Sequence, residues 1–143
     1  MSTLTLIDSR DHPALLWAVL DLVEEPAFVS LEGDLSAYKI AEISGASDQP
    51  TPALPRQTLD PKLDFHVLPI TDEVIAELKS RLSRSGVFGD GGDLIHVQVS
   101  QGDRRIFLAC DNFHPECTGL DHPNAPELIR RWAERGLVRG STA

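Results

Sequence analysis

Asp111, His114, Cys117 and His122 fall within the stretch DNFHPECTGLDHP, residues 111–123, and offer four side chains of the kinds that bind zinc. A structural zinc site ordinarily draws its ligands in two separated pairs, each spaced by about two to four residues. One loop of thirteen residues does not supply that arrangement, so no metal is expected. Cysteine catalysis is the second chemistry these residues allow, with Cys117 as nucleophile, His114 as base and Asp111 orienting the base. No nucleophile turn or helix start directly follows Cys117 to activate it. The third reading is a connection, in which Asp111 and Asn112 make turn hydrogen bonds and Phe113 packs down.

Other residues with chemical potential are more dispersed. GDGGD, residues 89–93, is rich enough in glycine to cradle phosphate, but it leads into the strand-like LIHVQV instead of a helix and lacks a following Lys-Ser/Thr, so a flexible turn is expected. The 22 acidic side chains offer too many pairs for the acids of a glycosidase to be singled out. His12, ahead of Pro13, reads as a helix entry, and His66 as a strand residue. His96 lies on the hairpin face opposite Val97, either exposed or paired with the 111–123 loop. No cofactor is expected.

Three helices and six strands must position these groups. Pro13 suits a first helical turn, and Leu15, Leu16, Val19, Leu22 and Val23 share a face, which predicts a helix over 13–25 closed by Pro26. Thr71 caps a second over 72–85, with Val74, Ile75, Leu78 and Leu82 as its stripe and Gly86 as its stop. The third, over 126–135, has a capping box of Asn124 and Glu127 and buries Leu128, Ile129 and Trp132. TLTLID (3–8), AFVSLEG (27–33), SAYKIAEIS (36–44) and FHVLPI (65–70) read as strands, the middle two as a hairpin around Gly33 and Asp34. LIHVQVS and RRIFLACD make a second hairpin, with Ile95, Val97 and Val99 facing the core from one strand and Ile106, Leu108 and Cys110 from the other. Residues 45–64 hold four prolines and no period, so they form a Pro-rich loop. Hairpins in place of regular strand–helix alternation predict an α+β fold, a mostly antiparallel sheet with about three helices in two layers.

Composition narrows the function. At 143 residues the chain is expected to form a single domain, residues 1–143. No apolar run approaches the ~20 residues of a membrane helix, and MSTLTLIDSRD lacks the pattern of a secretory signal, so a cytoplasmic protein with free thiols at Cys110 and Cys117 is expected. A formal net charge of −9 argues against nucleic acid as a partner. Residues 1–64 carry 4 basic and 11 acidic side chains, an excess suited to a cationic partner.

The run RRIFLACDNFHPEC, followed by a short loop and a C-terminal helix ending in Gly, resembles the closing part of small acidic bacterial immunity proteins of toxin–immunity pairs. The resemblance covers about the last 50 residues. It implies a cytoplasmic protein that binds and blocks a cognate toxin and has no active site of its own. The residues themselves point the same way, since the chain offers two unusual loops, an acidic surplus and no catalytic set. The expected contacts are Asp111, Phe113, His114, Glu116, Asp121 and His122, with Glu116 and Asp121 facing solvent. The alternatives are a small enzyme working through Asp111, His114, Cys117 and His122, or a secretion adaptor or chaperone. A homodimer built on the last hairpin or helix is compatible with each.

Overall fold

The computed structural model describes residues 4–141. In chain order its elements are β1 (Thr5–Ser9), α1 (His12–Leu22), β2 (Ala27–Gly33), β3 (Asp64–Pro69), α2 (Asp72–Arg81), β4 (Leu94–Gln101), β5 (Arg104–Ala109), β6 (Thr118–Leu120), α3 (Ala125–Glu134) and β7 (Val138–Ser141). The seven strands form one antiparallel sheet in the order β3-β2-β4-β5-β6-β1-β7, so the fold is α+β. Among the described residues no helix is long and apolar enough to cross a membrane.

The three helices share one face of the sheet. Leu15, Leu16 and Val19 of α1, Val74 and Leu78 of α2, and Ile129 and Trp132 of α3 join Val29, Leu31, Val97, Val99 and Phe107 in one apolar cluster. Local chemistry sets the helix ends. The Asp11 carboxylate accepts from Ala14 N and the Thr71 hydroxyl from Val74 N, each satisfying a backbone donor that the first turn leaves free. α1 stops at Leu22 and not at 25, because Val23 turns extended and Glu24 N donates to the side chain of Gln101. α2 stops at Arg81, short of Gly86, and the Arg81 guanidinium reaches back to the carbonyls of Tyr38 and Lys39. In α3 the expected capping box is absent: Asn124 makes no side-chain cap, and Glu127 pairs with Arg130 and Arg131. Gly136, at φ 79°, lets the chain reverse after α3 and enter β7, a strand the sequence pattern does not announce.

The hairpin of β4 and β5 pairs as expected, but its faces differ. The register shifts between Val99 and Ser100, placing Phe107 and Ala109 opposite Val99 and Val97 on the helix side. A bulge moves the phase of alternation by one residue, so Leu108 and Cys110 fall out of the core-facing set.

Residues 36–44 are not a strand. Ser36–Tyr38 and Ile40–Glu42 form two single 3-10 turns joined through Lys39 in the left-handed region. Tyr38 is held by a hydrogen bond from its hydroxyl to Asp93 at 2.5 Å, and Arg81 occupies two nearby carbonyls. β2 instead pairs with β3 and β4.

The proline-rich segment is packed, not free. Ser47 makes a two-way backbone bridge with Val67 on the outer edge of β3. Leu54 is fully buried, forming a second, smaller core with Phe65 and Val67 on the sheet face away from the helices. Arg56 lies over the Phe65 ring at 4.9 Å and donates to Leu63 O, drawing the segment closed as a strap across β3, β2 and β4.

Candidate functional site

Between β5 and β6 the chain makes a turn unusual for residues bearing side chains. Asp111, Asn112 and Phe113 follow one another at φ 51°, 58° and 63°. Such a conformation costs roughly 1–2 kcal/mol per non-glycine residue, so it persists only where surroundings enforce it. Here Asn112 Nδ2 donates to Gly92 O and Leu94 O, and Asn112 N to Ile95 O. Phe113 is buried among His12, Phe88 and Phe107, stacking on His12 at 4.9 Å.

The expected contact residues therefore divide. Asp111, His114 and Glu116 are exposed and His122 is half-buried. Phe113, at 2% exposure, and Asp121, at 6%, are not on the surface. Phe113 anchors the turn; Asp121 accepts from Arg104 at 2.7 Å through Oδ1, its Oδ2 buried without a hydrogen-bond partner among the described residues. The expectation that Asp121 faces solvent is thus corrected, because it directly follows the interior strand β6 and its amide donates to Ile106 O of β5.

Nor do the reactive groups converge. His114 Nδ1 accepts from Glu116 N and His122 Nδ1 from Asn124 N, each ring serving its own turn. Cys117 Sγ stands 4.0 Å from Asp111 Oδ2 and donates to Cys110 O at 3.1 Å. Among the described residues no three of His, Cys, Asp and Glu gather as ligands for a metal ion.

A denser polar cluster lies beneath the strap, where alternation alone places outward-facing residues. Glu32 and His96, cross-strand neighbours on β2 and β4, are 1% and 5% exposed. The two carboxylate oxygens of Glu32 accept from the backbone amides of Gln57 and Thr58, at 2.8 and 3.0 Å. Gln98 donates to Ser30 Oγ and Pro55 O and accepts from Gln57 and Arg105, which uses its full hydrogen-bonding capacity. His96 joins both loops: its Nδ1 accepts from Asp111 N at 3.2 Å and its Nε2 lies 2.8 Å from Thr58 Oγ1. A ring nitrogen that accepts from an amide carries no proton, so this bonding assigns a neutral ring donating from Nε2 to Thr58. The available sequence signal was polar Ser30, Glu32, His96, Gln98 and Ser100 alternating with core residues near a strap of prolines.

His12 and His66 carry a pH dependence. Burial, with the Arg139 guanidinium adding to it, holds His12 below the usual histidine range, and burial does the same to His66. Folding favours both neutral rings, so their contribution is present above about pH 6.5 and is lost as pH falls through the lowered folded-state values. The expected result is a denaturant midpoint that declines as pH falls below about 6.5, and declines less in His12→Phe. A midpoint that stays flat as pH falls below that value would contradict the assignment.

The third feature is a surface groove around the turn between β3 and α2. Hollows of about 670, 410 and 230 Å³ share Thr71, and Pro69, Ile70 and Glu25 each belong to two of them. Their walls bear Asp21, Glu25, Glu42, Asp72, Glu73 and Glu77, while Arg81, already paired with Glu77, is the one cation lining them. Phe28, 38% exposed, supplies apolar floor beside Pro69 and Ile70.

Compared with models of protein families, with curated proteins and with solved structures, the chain matches none.

Proposed function

We propose that this protein is a protein-binding inhibitor, acting in the cytoplasm, that neutralises a cognate toxin by covering a cationic surface of it. The observation that carries this reading is the groove around Thr71, with six carboxylates on its walls, one lining cation and an apolar floor at Phe28, Pro69 and Ile70. Glu42 and Glu77 pair with Lys39 and Arg81, and the other four carboxylates are an excess that steers a basic partner and selects against an acidic one, while a desolvated apolar floor supplies retention. The exposed Asp111, His114 and Glu116 offer a second polar patch. The toxin as partner follows from the resemblance of RRIFLACDNFHPEC to immunity proteins.

The test is co-expression with the product of the adjacent reading frame, read by co-purification and rescue of growth. Association is expected to slow as salt shortens the Debye length from ~10 to ~3 Å, with dissociation little changed. The double variant Asp21→Lys, Glu25→Lys is expected to reduce the association rate roughly tenfold. Its stability should hold, because a cation near the end of α1 suits the helix dipole. Absence of both co-purification and rescue, or a turnover lost on replacing Cys117 or His114, would overturn the proposal.

A further inference from the structure

Cys110 and Cys117 face each other across the end of a strand pair. Ala109 of β5 and Thr118 of β6 are register partners, and the next step outward brings the two cysteines opposite one another. Cys110 N donates to Cys117 O at 3.3 Å, and each thiol donates to the other residue's carbonyl, at 3.2 and 3.1 Å. Both are free and half-buried. Directly opposed residues of antiparallel strands have Cα atoms about 4.5–5.5 Å apart, inside the range of about 4.4–6.8 Å that a disulfide spans.

The backbone on either side is held independently of the sulfurs. On the Cys110 side, Asn112 is pinned to β4 and the turn before it by hydrogen bonds to Gly92, Leu94 and Ile95, and Phe113 is sunk in the core. On the Cys117 side, Cys117 N and Thr118 Oγ1 both donate to His114 O. Joining the sulfurs therefore needs side-chain rotation and no refolding of the turn.

We propose that Cys110 and Cys117 are a reversible dithiol–disulfide pair, closed by a peroxide-class oxidant and reopened by a thiol reductant. The two sulfurs have different tasks. Burial, with the hydrogen bond to the Cys117 thiol and the nearby Asp111 charge adding to it, pushes the Cys110 thiol up to about 12. Cys110 thus stays protonated while Cys117 meets the oxidant. In the first step the Cys117 thiolate attacks one peroxide oxygen, the O–O bond breaks, and sulfenic acid forms with release of water once the hydroxide leaving group is protonated. In the second, Cys110 sulfur attacks the sulfenic sulfur, losing its proton as the S–O bond breaks and a second water departs. Two thiols and one hydrogen peroxide give one disulfide and two waters. In a reducing compartment such a bond is transient, as expected of a responsive pair and not of a structural staple.

The experiment treats the folded chain with hydrogen peroxide, then measures intact mass, free thiols and the fragments left by cleavage after Glu116. The expected result is a loss of two hydrogens per chain, disappearance of both thiols together, and two fragments that stay joined until a reductant is added. Cys110→Ser is expected to redirect the oxidation, leaving Cys117 with added oxygen and the fragments separate. Three results would overturn the proposal: oxygen added to wild-type Cys117 without a cross-link, disulfides formed mainly between chains, or thiols that survive in the folded protein under conditions that cross-link the denatured one.

Discussion

Replacing Trp132 by Ala will lower the free energy of unfolding by about 3–5 kcal/mol, the range for removing a large buried aromatic ring. Trp132 is 4% exposed and shares the main core with Ile129, Leu137 and Val138, so it fastens α3 and the start of β7 together. Its carbonyl also accepts from Leu137 N, which closes the turn at Gly136. A domain with a stability of roughly 5–15 kcal/mol loses a large fraction of it by that one change. Denaturant unfolding reads the effect directly, and Trp132→Phe, which refills part of the volume, should cost clearly less. An unchanged midpoint in Trp132→Ala would mean that α3 is only loosely docked.

Removing the Glu32 carboxylate should release the strap. Glu32→Ala leaves the amides of Gln57 and Thr58 without their acceptors, and a buried donor left unsatisfied costs about 1–3 kcal/mol. The loss has a location as well as a size. Thr58 also carries the bond to His96, and Gln57 the bond to Gln98, so residues 55–60 should open ahead of the helix-side core. The expected signature is faster hydrogen exchange at Gln57 and Thr58 and new proteolytic cleavage beside the exposed Leu59, while α1 and α3 keep their protection. Glu32→Gln retains an acceptor oxygen and should open the strap less. Equal exchange at Gln57 in wild type and Glu32→Ala would show that the carboxylate does not hold it.

These two sites differ in how far they could be read from the chain. Trp132 belongs to a stripe with Leu128 and Ile129, and Thr71 stands three residues before Val74, the first position of the α2 stripe; both signals are local, so β2, α2, α3 and the β4–β5 hairpin were legible. Glu32 and His96 gave the opposite impression. A polar residue alternating with core residues reads as facing water, and only a strap 25 or more residues away in sequence buries it. The same nonlocality misled at Tyr38 and Ile40, where spacing mimics a strand but anchors from Asp93 and Arg81 fix two tight turns. β6 and β7, of three and four residues, are too short to show any period. In the polar loop, Glu116 is exposed as its composition suggested, but nothing local could show that Asp121 is drawn inward by Arg104. The groove around Thr71 had no linear signal, since Asp21, Glu25, Glu42 and Asp72 are gathered by the packing of α1, α2 and the turns between them.

The bridge from Ser47 to Val67 bears on how copies of this chain can add to one another. On β3 the backbone groups pointing away from β2 belong to Phe65, Val67 and Pro69. Val67 spends both of its groups on Ser47, and Pro69 has no N–H to give. The hairpin of β4 and β5 sits inside the sheet, with β2 and β6 on its flanks, so it has no unpaired edge to offer a twin. A filament of stacked sheets needs two templating ends on every unit, and one end of this sheet is blunted. Edge pairing through the far end would stop at two molecules, which makes fibrous growth from the native state a dead end even at high concentration.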